Sequence, residues 1–171
     1  MDQDLASIQE ARDTVLRAYE AWKVWSHASQ ADVDRVCAAM AEAGSQAAER
    51  LGRLAQEETG YGVAAHKKIK NEFGSRLVWQ SIRDLKTVGV IRQDPDRRIY
   101  EIGWPMGVVV GLVPSTNPTS TAFFKAMIAV KSRNAIIFSP HPAAKRCIFE
   151  AVQCMALAAE NAGAPKGLIN C

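Results

Sequence analysis

No apolar run in this 171-residue sequence approaches the roughly 20 residues that a bilayer-spanning helix needs. The start, Met1-Asp-Gln-Asp4, is acidic and passes straight into an amphipathic pattern, without the basic and apolar regions of a secretory signal. A cytoplasmic protein with no membrane partner is therefore expected. The four cysteines, Cys37, Cys147, Cys154 and Cys171, form no CxxC pair, which excludes zinc-ribbon and thioredoxin-type sites. Free thiols packed as small apolar side chains are expected instead. His27, His66 and His141 are too dispersed for a metal centre, so no metal is expected. There is no GxxxxGKS or GxxxxGKT, no GxGxxG, no HExxH, no GxSxG and no paired-carboxylate spacing. No internal repeat, low-complexity tract or long linker breaks the chain.

What is present is an ordinary globular composition, 48% apolar, with a net charge of +3. That charge hides an asymmetry. Residues 1–60 hold 6 Lys and Arg against 11 Asp and Glu, whereas residues 61–171 hold 15 against 7. The basic part favours an anionic ligand such as a nucleotide or coenzyme A, although solvated surface lysines would produce the same count. Its cations are scattered and form no aromatic-and-basic face, so nucleic acid is not the expected partner.

Leu5, Ile8, Val15, Leu16, Tyr19 and Trp22 recur at helical spacing and predict a helix over about 4–25 with these residues inward. Ser29 or Asp32 caps a second helix carrying Val33, Val36, Met40, Leu51 and Leu54, which Gly60 and Gly62 end. A third spans about 63–82 with Ile69, Phe73, Leu77 and Val78. The four tryptophans read as core or interface anchors. Then Val88-Gly-Val-Ile-Arg92 and Arg98-Ile-Tyr-Glu-Ile102 flank Asp94-Pro-Asp96, the pattern of a hairpin. Such a ribbon is marginal alone, which suits an arm that pairs with another subunit.

The remainder is a βαβαβ pattern. Gly107-Val-Val-Val-Gly-Leu-Val113 reads as a buried strand, followed by the polar turn Pro114-Ser-Thr-Asn117 and a helix from Pro118. Ala135-Ile-Ile-Phe138 is the next strand, and Ser139-Pro-His-Pro142 the turn into a helix ending near Asn161. Gly167-Leu-Ile-Asn-Cys171 is a third strand on which the pattern stops, as in a piece of a longer polypeptide. In open α/β sheets ligands gather at the carboxyl ends of strands, where both polar turns lie. Asn117 suits two roles there. Its side-chain oxygen can cap the helix, with Pro118 at the first helical position; its amide NH₂ can donate to a developing oxyanion. His141 likewise either caps the next helix or meets the ribose or adenine of a nucleotide. Lys145 and Arg146 either reach a phosphate or are solvated.

The segments Pro105-Met-Gly-Val-Val-Val-Gly-Leu-Val-Pro-Ser-Thr-Asn-Pro-Thr-Ser-Thr121, Phe124-Lys125 and Lys131-Ser-Arg-Asn-Ala-Ile-Ile-Phe-Ser-Pro-His-Pro142 resemble the coenzyme A-acylating aldehyde dehydrogenases. Glu58-Thr-Gly-Tyr-Gly62 and Lys68-Ile-Lys-Asn71 extend the resemblance over nearly the whole chain. It implies an α/β fold with an N-terminal helical layer over 1–86, an oligomerisation hairpin over 87–104, and the first half of a Rossmann-like cofactor domain over 105–171. It implies a cysteine thiolate that attacks a small aldehyde, NAD or NADP as hydride acceptor, coenzyme A as acyl acceptor and a homo-oligomer. By the same resemblance Asn117 stabilises the oxyanion, Val113, Pro114, Ser115 and Thr116 line the nicotinamide side, and Ser139, Pro140 and His141 meet the adenosine side. In the wider superfamily the asparagine falls two residues after the proline; here it falls three after Pro114, and Thr116 holds the two-residue spacing. Pro142 stands where many NAD-using relatives carry an acidic residue, which leaves NAD and NADP both open. No cysteine matches the family's nucleophile, which lies beyond residue 171, so this chain alone is expected to be inactive. The resemblance leaves acetaldehyde, propionaldehyde, succinate semialdehyde and sulfoacetaldehyde open as substrates. The reading from another class is a non-catalytic nucleotide-binding or assembly module built on the same half-fold.

Overall fold

A computed structural model describes residues 3–171. Seven α-helices and five strands follow in order among the described residues: α1 (Gln3–Trp25), α2 (Gln30–Gln46), α3 (Ala48–Thr59), α4 (Ala64–Glu72), α5 (Val78–Ile82), β1 (Gly89–Asp94), β2 (Ile99–Gly103), β3 (Val108–Val113), α6 (Pro118–Lys131), β4 (Ala135–Pro140), α7 (Lys145–Asn161) and β5 (Ile169–Asn170). A π-helical segment, Phe73–Leu77, joins α4 to α5, and a 3₁₀ turn, Pro142–Ala144, precedes α7. β3, β4 and β5 form a parallel sheet in that order, with Val108 opposite Ala135 and Val113 opposite Pro140. β1 and β2 form the expected antiparallel hairpin, with a bulge between Val90 and Arg92.

The helices α6 and α7 connect successive parallel strands and pack side by side against the sheet, with α2 laid across both. α1 runs along all three strands. One hydrophobic core results, in which Trp25, Val36, Met40, Phe123, Met127, Phe138, Ile148 and Met155 are all buried.

Three expectations about the helices change. The first concerns α1. Its buried residues are Thr14, Ala18, Ala21 and Trp25, while Leu5, Leu16 and Val24 are 60%, 60% and 66% exposed. Small side chains let the helix backbone approach the strands closely, so the alanine stripe faces the sheet. The large apolar residues lie on the opposite, uncovered side. Ile69 and Phe73 are exposed in the same way, and Trp104 is as well.

The second concerns the helix expected from the Ser29 or Asp32 cap to Gly60, which divides at Ala47 into α2 and α3. The division follows Gly44-Ser45, a pair that commonly permits a helix to bend. Gly44 is required by packing as well. A Cβ there would lie 2.6 Å from the Met155 methyl and 2.8 Å from the Ser75 Cβ. The expected capping at the start of α2 is present: Ser29 Oγ accepts from Asp32 N, and the Asp32 carboxylate accepts from Ser29 N.

The third concerns the helix over about 63–82, which carries the π-helical segment in its middle. There Gly74 meets the start of α6 so closely that a Cβ would sit 2.7 Å from Ser120 O. The extra residue of a π turn re-aims the chain at that contact, as such segments often do beside functional sites.

Three side chains from the Lys131-Ser-Arg-Asn134 stretch tie distant parts together. Lys131, almost fully buried, donates to Asp34 Oδ1 and to Arg83 O, and its ammonium lies 5.4 Å from the Trp79 ring centre. Arg133 donates to Ser26 O at 2.7 Å and Gly103 O at 2.8 Å, joining the end of α1 to the base of the hairpin. Asn134 Oδ1 accepts from Met106 N and Gly107 N, which fixes the entry to β3.

Candidate functional site

The carboxyl ends of β3 and β4 lie side by side because their register pairs Leu112 with Ser139 and Val113 with Pro140. Between them is an open cavity of about 400 Å³ lined by Leu112, Val113, Pro114, Ser139, Pro140 and His141. Five of the seven expected cofactor residues thus converge on one surface. The strand extends further than expected, since Ser139 and Pro140 belong to β4 and not to the turn. Pro140 can end a ladder strand because it lacks only the donor. His141 caps with one ring nitrogen, its Nδ1 accepting from Ala143 N at 3.1 Å, and still lines the cavity. This lining is apolar apart from a hydroxyl and an imidazole. It fits the ring and ribose of a nucleotide better than it fits a phosphate.

The helix that follows offers no open N-terminus to a phosphate. The Glu58 carboxylate already accepts from Arg146 N at 2.8 Å and Cys147 N at 2.7 Å. Partial burial pushes the Glu58 carboxyl up, but these two N–H bonds, with the Cys147 thiol and the Arg146 charge, outweigh it and hold the group below the usual carboxylate range. Glu58 therefore carries the capping work for α7 from the end of α3, which explains its place in the Glu58-Thr-Gly-Tyr-Gly62 element. Arg146 turns toward Glu150 at 3.5 Å.

Ser115 and Thr116 form the bridge from β3 to α6 and line neither this cavity nor the next. Thr116 is held by its backbone: buried Lys67 donates to Thr116 O at 3.1 Å. Burial lowers the Lys67 ammonium below its ordinary value, and the neighbouring charge of Lys70 lowers it further.

Asn117 does not cap α6 with its side chain. Its Oδ1 instead accepts from Lys70 Nζ at 2.8 Å. An ammonium only donates, so the bonded atom is the oxygen, and the NH₂ is turned away from Lys70. The NH₂ has no partner among the described residues. Beside it lies a cavity of about 320 Å³ whose lining includes Phe73, Gly74, Val78, Thr121 and Phe124. An uncommitted amide donor thus stands at the edge of a largely apolar hollow. The turn Pro114–Asn117 separates this hollow from the nucleotide-sized surface.

The start of α6 is fixed from below by Asn71, which is fully buried. Its Nδ2 donates to Ala48 O at 2.9 Å, and its Oδ1 accepts from Thr119 Oγ1 at 2.7 Å. Sequence reasoning did not find Lys67, Lys70, Asn71, Phe73 or Phe124 as parts of the site. The signals were the Phe124-Lys125 and Lys68-Ile-Lys-Asn71 stretches, and the partners of Lys70 and Asn71 at the start of α6 lie 47 and 48 residues away.

Comparison with known proteins shows the family. The profile of the Aldehyde dehydrogenase family covers residues 2–171. This chain belongs to the aldehyde dehydrogenase family. It is 41% identical over 165 residues to the bifunctional aldehyde-alcohol dehydrogenase AdhE of Escherichia coli, covering 96% of this chain and 18% of that relative. It is 36% identical over 158 residues to the succinate-semialdehyde dehydrogenase (acetylating) of Clostridium kluyveri, covering 92% of this chain and 35% of the relative. The crystal structure of an acetylating aldehyde dehydrogenase from Geobacillus thermoglucosidasius superimposes with a TM-score of 0.96 at 52% identity, over 99% of this chain and 38% of the other. The chain therefore spans well under half the length of these relatives.

None of the four thiols is tuned as a nucleophile. Burial pushes Cys37 up to about 12. Burial also pushes Cys147 to about 12, helped by its hydrogen bond to the Glu58 carboxylate and that group's charge. Cys154 is raised by burial as well, and Cys171 sits exposed at the end of the chain. Nucleophilic thiols need the opposite shift. Among the described residues no cluster of His, Cys, Asp and Glu suits a metal, and no helix is long and apolar enough to cross a membrane.

Proposed function

We propose that the protein carrying this chain is an NAD- or NADP-dependent, coenzyme A-acylating aldehyde dehydrogenase. In this reading the chain provides the adenosine and nicotinamide side of the cofactor cleft and the oxyanion donor. The observation that carries it is the Pro114–Asn117 turn, which has a nucleotide-sized apolar surface on one side and the free Asn117 amide on the other. Two relatives, both acetylating enzymes, favour the acylating branch.

In this reading Val113 and Pro114 pack toward the nicotinamide, with Ser115 and Thr116 behind them, while Ser139, Pro140 and His141 meet the adenosine. The cofactor, when bound, accepts the hydride. The aldehyde lies in the hollow formed by Phe73, Val78, Thr121 and Phe124. Attack of a thiolate from outside this chain places negative charge on the aldehyde oxygen, and the Asn117 NH₂ donates to it. The acyl group then passes to coenzyme A. Because the chain's own thiols are raised or misplaced, the 171 residues by themselves turn over no aldehyde. Four free thiols suit a reducing compartment, which supports the cytoplasm.

The test is a panel of acetaldehyde, propionaldehyde, succinate semialdehyde and sulfoacetaldehyde on the full-length protein, following cofactor reduction with NAD or NADP and with or without coenzyme A. Coenzyme A-dependent reduction is expected with at least one aldehyde. Its absence across the panel would sink the proposal.

The hairpin is read as an oligomerisation arm. Val90, Ile91, Ile99, Tyr100 and Ile102 are all exposed on a two-stranded ribbon that has no third strand. Deleting 88–102 from the full-length protein is expected to lower the native mass measured by light scattering. An unchanged mass refutes the arm.

A further inference from the structure

We propose that Lys70 is a positioning residue for the oxyanion donor: its ammonium holds Asn117 Oδ1 at 2.8 Å and thereby aims the Asn117 NH₂ at the aldehyde. The inference rests on the oxyanion reading of Asn117. Three observations carry it beyond that reading. Lys70 replaces the usual partner of such a side chain: Asn117 stands at the N-cap position of α6 yet makes no capping bond. Capping would spend the oxygen on a backbone N–H of α6 itself, whereas here the ammonium anchors it from another helix.

The second observation is a double anchorage. Lys67 and Lys70 lie three residues apart on α4, hence on one face. They bond Thr116 O and Asn117 Oδ1, two successive residues of one turn. The α4 helix is itself pressed onto the start of α6, through the Asn71–Thr119 bond and the Gly74–Ser120 contact. The clamp is therefore rigid at its base. Rigidity matters because a misplacement of about 1 Å at a reacting centre can cost about a hundredfold in rate.

The third observation is charge. Neither lysine forms an ion pair with a carboxylate among the described residues, although Lys68 between them pairs with Glu49 at 3.1 Å. An unneutralised ammonium on the amide oxygen draws electron density across the amide and makes its N–H groups stronger donors. The same charge favours negative charge forming on the far side of that amide.

The test compares Lys70→Met, Lys70→Arg, Asn117→Ala and the Lys70→Met/Asn117→Ala double variant in the full-length protein. Lys70 is exposed, so none of its variants should alter thermal unfolding. Lys70→Met should lower kcat about tenfold with the aldehyde KM within about twofold, since an interaction made in the transition state is weakened. Lys70→Arg keeps a charged donor and should recover most of kcat. The double variant should be no slower than Asn117→Ala alone, because a positioning residue has nothing to position once the amide is gone. A wild-type kcat in Lys70→Met beside a large loss in Asn117→Ala overturns the positioning role and leaves the oxyanion reading standing. Fully multiplicative losses overturn it too. A wild-type kcat in Asn117→Ala overturns both.

Discussion

Asn117→Ala in the full-length protein is expected to lower kcat by roughly 10²-fold, the scale of one oxyanion donor. The structure separates this from a stability effect. A side-chain cap removed from a helix costs about 1 kcal/mol, and a lost cap would have been the simplest alternative explanation for any defect. Asn117 makes no capping bond, and its one side-chain partner is the exposed Lys70. The thermal midpoint of the variant should therefore match the parent within error while kcat collapses. KM for the aldehyde should change little, because the amide meets an oxygen that is charged only in the transition state. A variant that unfolds earlier yet keeps its kcat would return Asn117 to a purely structural role.

Lys131→Met is expected to destabilise the folded state by about 2–3 kcal/mol without touching the site directly. The ammonium is 4% exposed and serves Asp34 on α2, Arg83 O after α5, and the Trp79 ring. Removing one partner of a fully buried pair typically costs about 3–5 kcal/mol, since the other charge remains without compensation. Asp34 is 35% exposed and regains some water, which lowers the figure. Chemical denaturation of the full-length protein should show the loss as a reduced midpoint. Asp34→Asn should cost less than Lys131→Met, because the amide still accepts from the buried ammonium. Equal midpoints for Lys131→Met and the parent would refute this stabilising role of Lys131.

Much of the architecture was legible because it is locally encoded. The apolar run Val108–Val113, the Asn117-Pro118 helix start and the Asp94-Pro-Asp96 turn each need only neighbouring residues, and each element stands where expected, although Val110 and Leu112 on the strand are exposed. The proposed cofactor residues Val113, Pro114, Ser139, Pro140 and His141 meet on one surface for a related reason. Two parallel strands in register bring their ends together, so position along each strand is enough. The inward face of α1 was misread because periodicity identifies an apolar stripe but not what lies against it. Leu5, Ile8 and Leu16 form that stripe and face outward, while Ala18 and Ala21 meet the sheet.

By itself, then, the sequence determined the order of elements, the α/β class, the family and the two turns on which a ligand would sit. Those properties depend on residues a few positions apart, and backbone geometry relates them directly. The tertiary structure decided which bond the Asn117 oxygen makes. A helix cap and a nearby ammonium compete for that one atom, and nothing within several residues of Asn117 chooses between them. Lys70, an ammonium brought in on another helix 47 residues earlier, takes the oxygen.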